Sequence, residues 1–142
     1  MTKTERTIYA ILGPTRYNIF PLASAVDRMM ELLFARSMAM EDILVSKDVY
    51  LPVARDIHKT PATVSRQIER LANLCWSAMQ DAGETENYIG KNLRDIHAPS
   101  DILYYLAYYV YYDRPFFTVI HRGPTGGRYV WLNTSHFCAD PS

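Results

Sequence analysis

The chain has 142 residues, 49% hydrophobic and 21% charged, with fifteen basic and fifteen acidic side chains and a formal net charge of zero. That size fits one domain able to bury roughly two-thirds of its unfolded surface, and the composition excludes a disordered tail. No apolar run approaches the roughly 20 residues of a membrane span, and the opening Met1-Thr-Lys-Thr-Glu-Arg6 lacks the apolar core of a signal peptide. A cytoplasmic protein with no membrane contact is expected. Cys75 and Cys138 are too few and too differently placed for a disulfide framework, and read as reduced thiols.

Residues 4–12 read as a short helix ended by Gly13-Pro14, a left-handed cap followed by a residue that cannot continue it. Pro21 opens a longer helix to about Ser37, with Leu22, Val26, Met29 and Leu33 on one face. Residues 42–46 are a connection or a short turn. Residues 50–58 form a short amphipathic helix in which Val53, Ala54 and Ile57 give a small residue flanked by apolar ones, as a close helix crossing needs. His58 falls where the chain must reverse, and His is among the residues enriched at positive φ.

The next helix is the most sharply specified. Thr60 can accept from the first free backbone N–H groups, and Pro61 takes the first helical position, where its missing donor costs nothing. At roughly 100° per residue, Val64, Ile68, Leu71 and Cys75 share one narrow apolar stripe, with Thr63, Arg66, Glu69, Arg70 and Asn73 nearly opposite. This helix should run to about Gln80 and stop before Gly83. Residues 84–98 are polar and broken by Gly90, so a loop with at most a short helix at 92–96 is expected. Pro99-Ser100-Asp101 then caps a helix over 102–112.

After Arg114 the pattern changes. Residues 116–122 and 128–133 are two β-prone runs on either side of Gly123-Pro-Thr-Gly-Gly127, a hairpin signal. The expected fold is all-α: a helix-turn-helix-containing bundle of about six helices over residues 1–113, with a small C-terminal β-hairpin appendage and tail over 114–142.

A short helix, a tight turn and a second helix offering arginines outward make the layout of a helix-turn-helix whose second element enters a DNA groove. A solvated surface helix would show the same polar face; the preceding helix and its turn favour the motif. Charge is distributed to match. Residues 46–73 hold five cations (Lys47, Arg55, Lys59, Arg66, Arg70) against three anions (Asp48, Asp56, Glu69), a surplus of two. Residues 74–142 hold five cations against seven anions, a deficit of two. Weak non-specific affinity with marked salt sensitivity follows from so small a local surplus.

These residues resemble the C-terminal effector domain of stage-zero sporulation protein A, the master regulator of endospore formation in Firmicutes. The resemblance covers about residues 7–112. Its most specific part is Lys47-Asp-Val-Tyr50 followed by Val53-Ala54, then Thr60, Val64, Arg66, Ile68 and Trp76; Ile11-Leu12-Gly13 and the Pro99-Ser100 helix start also look like family positions. It implies a six-helix domain that binds a short promoter box, often as tandem copies, to activate or repress transcription. Thr63 stands where the family typically places a base-reading arginine, Ser65 where it places a glutamate and Glu69 where it places another arginine. Arg66 is the matching base-reading position that remains. The phosphoacceptor receiver domain that normally precedes this effector domain has no counterpart in the chain.

The expected partner is therefore double-stranded DNA, and the expected function sequence-specific transcription regulation. Arg66 would read a base edge, with Thr63, Ser65 and Gln67 as secondary or water-mediated readers. Arg70, Lys59 and Lys47 would hold phosphates, and Thr60 would fix the helix N-terminus. The alternative is a degenerate helix-turn-helix module that has become a protein–protein interaction partner or modulator; zero net charge, Thr63 and Glu69 speak for it. A homodimer is a further expectation, through the tyrosine-rich helix (Tyr104, Tyr105, Tyr108, Tyr111, Tyr112, with Tyr109) or through the hairpin, with simple packing of these tyrosines as the competing reading. Control by a small molecule in an aromatic pocket near Trp131 is open without a specific residue signature. The four histidines show no metal-ligand spacing, residues 123–127 lack the Lys-Ser/Thr of a phosphate loop, and no catalytic constellation emerges. No enzyme activity, catalytic residue, metal or cofactor is expected.

Overall fold

The computed structural model describes residues 1–122 and 129–130, and they form a helical body built around one buried helix. The first helix, α1 (Lys3–Leu12), starts at a reciprocal cap: Thr2 Oγ1 accepts from the Glu5 N–H at 3.1 Å and Glu5 Oε1 accepts from the Thr2 N–H at 2.8 Å. The second helix, α2 (Phe20–Met30), is the hub. Its Leu22, Val26 and Met29 are fully buried, and it packs against α1 and three later helices. It continues as a wider π-helical turn, Glu31–Ala35, which carries Leu33 into the same core. The single expected helix to about Ser37 is thus two geometries in series, ending where Ser37 takes φ 54.

The chain next makes a short turn at Met40–Asp42 and a second π-helical turn, Val45–Tyr50, which runs directly into α3 (Leu51–Ile57). Pro52 explains this segment. It has no N–H to give the Asp48 carbonyl one helical turn back, and Arg28 supplies the missing donor from α2, its Nε reaching that carbonyl at 2.9 Å. The same arginine ties the base of α3 to the hub. At the other end His58 adopts φ 58, ψ 46, the left-handed conformation that the reversal requires.

Helix α4 (Pro61–Ala82) follows α3 after three residues, His58, Lys59 and Thr60, and stops at Gly83, φ 67. Val64, Ile68, Leu71 and Cys75 are buried as the periodicity requires, and Ala72 and Met79 extend the stripe. A short helix, α5 (Thr85–Ile89), comes earlier in the following segment than expected, and residues 92–96 are not helical. Burial decides the position: Thr85 and Ile89 both pack inward, whereas residues 92–96 offer no such pair, Leu93 and Ile96 being half-buried. Gly90 ends α5 at φ 98, and a Cβ there would meet the Phe117 backbone nitrogen at 3.2 Å and the Pro115 side chain at 3.2 Å, so only glycine allows this close approach.

Helix α6 (Asp101–Tyr112) places Ile102, Leu103, Leu106, Ala107, Tyr108 and Val110 in the core. Ser100 precedes it without a side-chain cap; Asp101 Oδ2 instead accepts from the His97 N–H at 3.0 Å. The expected strand over residues 116–122 is corrected. Phe116–Val119 is a one-turn helix, α7, because Pro115 presets its start and Phe116 and Val119, three apart, both seat in the core. Ile120 joins them, so the helical body extends through that residue. Among the described residues, strand pairing is confined to β1 (His121–Arg122) against β2 (Tyr129–Val130), antiparallel, with His121 opposite Val130. The rest of the expected hairpin, Trp131 and Cys138 lie outside the described residues. No helix among the described residues is long and apolar enough to cross a membrane.

Candidate nucleic-acid interface

α3 and α4 pack against each other through the small residue Ala54 and its neighbour Val53, both 2% exposed. The start of α4 is fixed locally. Thr60 Oγ1 accepts from the Thr63 N–H at 3.2 Å while donating to Thr63 Oγ1 at 2.8 Å, so both threonines are committed to the cap. With the apolar stripe seated on α1, α2 and α3, the opposite side of α4 faces outward. Arg66, Arg70 and Asn73 are exposed along it and share an open groove with half-buried Thr63, Gln67 and Glu69.

The two arginines are presented differently. Arg66 is exposed with no salt bridge or hydrogen bond to the rest of the described chain. Arg70 lies over the ring of Tyr17, with its guanidinium carbon 5.2 Å from the ring centroid. Tyr17 comes from the loop between α1 and α2 and is itself 45% exposed, so this cation–π contact holds Arg70 on the surface and orients it without burying it.

Two polar side chains of α4 turn to its flanks. Glu69 accepts a hydrogen bond from the Tyr50 hydroxyl at 3.2 Å. Tyr50 is buried at the junction of the π-helical turn and α3, and burial together with the Glu69 charge pushes its phenol far above the ordinary value, so it stays a donor. Glu69 thus links α4 to the turn that leads into α3. On the other flank Gln67 is half-buried, its Oε1 enclosed with no hydrogen-bond partner among the described residues, and it borders a small cleft with Tyr17, Asn18, Pro21 and Arg70. Ser65 donates its hydroxyl to the Ala62 carbonyl at 3.1 Å.

Thus the structure brings Thr63, Arg66, Gln67 and Arg70 into one groove, sets Lys59 and Thr60 exposed at its leading end, and leaves Lys47 exposed on the turn before α3, outside the groove. Ser65 lies on the Glu69 flank, four residues before it. Sequence periodicity missed Tyr17 and Tyr50. Tyr17 sits in an irregular loop, where no helical or strand repeat marks it, and Tyr50 is legible only as part of the quoted Lys47–Tyr50 match.

The tyrosines of α6 point mainly into their own protein. Tyr108 is fully buried with its hydroxyl 3.9 Å from Met40 Sδ, Tyr104 directs its hydroxyl to the Met40 carbonyl at 3.5 Å, and Tyr105 packs edge-on to Phe116 at 5.0 Å. Tyr109 and Tyr112 are half-buried. Tyr111 alone of the six is largely exposed, at 54%, and it stacks on Phe34 with centroids 4.0 Å apart. Of the tyrosines expected at a dimer surface, Tyr108 is taken up by the core, Tyr104, Tyr105 and Tyr112 are half-buried, and Tyr111 is exposed. Cys75 is buried and unpaired, and burial pushes its thiol up to about 12, which keeps it protonated and inert. Set against known proteins, the chain matches no family model, no curated protein and no solved structure.

Proposed function

We propose that this chain is a sequence-specific double-stranded DNA-binding protein, a cytoplasmic transcription regulator of the kind that its resemblance to the sporulation regulator's effector domain implies. One observation carries the reading: a capped helix, held by its apolar stripe, presents Arg66 outward with no partner for its guanidinium among the described residues. In this reading Arg66 reads a base edge, Arg70 and Lys59 hold phosphates, and Lys47 adds a backbone contact from the turn before α3. Thr63 and Gln67 act beside Arg66, with Ser65 a weaker candidate because its proton is already given to Ala62. The interaction-module alternative rested partly on Glu69 as an acidic group that repels phosphate. Its bond to Tyr50 gives that carboxylate a structural purpose, although it still lines the groove beside Arg66 and Arg70.

The test is a salt titration on a duplex selected from a random library. Lys59→Ala should weaken all sequences alike and reduce the salt slope by about 1. Arg66→Ala should instead remove about 1–3 kcal/mol of discrimination at one base position. Wild-type behaviour of both variants would overturn the reading.

A further inference from the structure

A pocket of about 330 Å³ opens between the α5–α6 connection, α6 and α7, and none of its lining residues comes from α3 or α4. Its walls are the rings of Tyr104, Tyr105, Phe116 and Phe117. Tyr105 meets Phe116 at 5.0 Å and Phe117 at 5.9 Å, and the two phenylalanines meet edge-on at 4.9 Å, so the aromatic surface is pre-formed. Asp95 and Asp101 supply the charge. The described residues lining the pocket include these two carboxylates and His97, but neither lysine nor arginine.

Aromatic faces and carboxylates attract the same ligand charge. A ring presents its negative face to a cation, and a carboxylate completes the pairing. The chain already shows this chemistry at the pocket wall, where Lys91 Nζ lies 4.7 Å from the centre of Phe117. Tyr104 and Tyr105 stay neutral donors beside the acid groups: burial first, then the Asp101 charge, pushes both phenols up to about 12. The volume is near the lower end of the roughly 300–1,000 Å³ typical of small-molecule sites, which suits one or two rings and excludes a peptide. The acidic groups disfavour phosphates and carboxylic acids.

We propose that this pocket binds a small organic cation with a flat apolar body, of the arylalkylamine class. Its occupant would touch Tyr104 and Met40, and Met40 belongs to the turn that leads into the first helix of the helix-turn-helix. The site thus adjoins the segment that positions α3.

Tryptamine and indole-3-propionate, the same ring with opposite charge, test the proposal directly on the full chain by calorimetry and amide chemical shifts. Tryptamine should bind with a Kd of about 1 mM or tighter, and the acid at least about tenfold more weakly. The shifts should centre on Tyr104, Tyr105 and Phe117. Asp101→Asn keeps an acceptor for the His97 N–H yet removes the charge, and should reduce the preference for the amine by about threefold or more; exposed Asp95→Asn serves if that variant does not fold. Equal binding of the two probes, no binding of tryptamine at about 10 mM, an unchanged preference in the variant, or shifts centred elsewhere would each overturn it. None of these readouts requires DNA.

Discussion

Helices α4 and α6 both carry side chains of the kind that interfaces favour, and the fold treats them oppositely. At 100° per residue the buried positions of α4 occupy a stripe about 100° wide, whereas those of α6 occupy about 240°. The arginines of α4 therefore face an open side, whereas of the α6 tyrosines only Tyr111 is largely exposed. α6 is surrounded by α1, α2, α4, α5 and α7, with Tyr108 in the core, Tyr104, Tyr105, Tyr109 and Tyr112 half-buried, and Tyr111 at the surface. Interface-like composition marks a binding surface only when the helix has an open side; otherwise the same residues become packing.

The largest expected contrast is in stability. Tyr108→Ala should cost about 3–5 kcal/mol, because it empties a fully enclosed aromatic site. Arg66→Ala should change unfolding free energy by no more than about 0.5 kcal/mol. Chemical denaturation of the two variants checks the pair, and similar losses would erase the distinction between the helices. The pH dependence separates them again. Tyr104 and Tyr105 have raised folded-state values near 12, so their contribution is complete below the unfolded value of about 10 and is lost as pH rises through 12. Thermal unfolding followed across that window should show a decline that is reduced in Tyr104→Phe. Next in size, Thr60→Ala should cost about 1 kcal/mol through the lost N-cap of α4, read by denaturation. The smallest effect is expected from Tyr17→Ala, which frees Arg70 from its ring and should weaken duplex binding by about 0.5–1 kcal/mol without altering base preference.

How much of this was legible in the sequence varied with how local the deciding physics was. The start of α4 is written in Thr60-Pro61, its end in Gly83 and the reversal before it in His58, and all three are observed as expected. The apolar stripe of α4 needed only its period. The outward stripe of the candidate site was readable for the same reason. What failed depended on distant partners. Residues 116–119 are aromatic and β-branched, yet Pro115 and two core contacts three residues apart make them helical. Pro52 in a helix start makes sense only once Arg28 is seen to satisfy the Asp48 carbonyl from another helix. The bond from Tyr50 to Glu69 is likewise invisible locally, the two residues being nineteen apart, while Glu69 still lines the groove. Gln67 lines the groove, but the second cleft it shares with Tyr17 and Asn18 of the α1–α2 loop has no local sign in the sequence.

Which face meets DNA is the claim on which the functional account stands, and amide chemical-shift mapping with a short duplex tests it most directly. The account predicts shifts along the outward positions Thr63, Arg66, Arg70 and Asn73, at Lys59, and in the Tyr17 loop that supports Arg70, with α6 silent. Shifts centred on Tyr111 and its neighbours, or none on α4 at low salt, would contradict it.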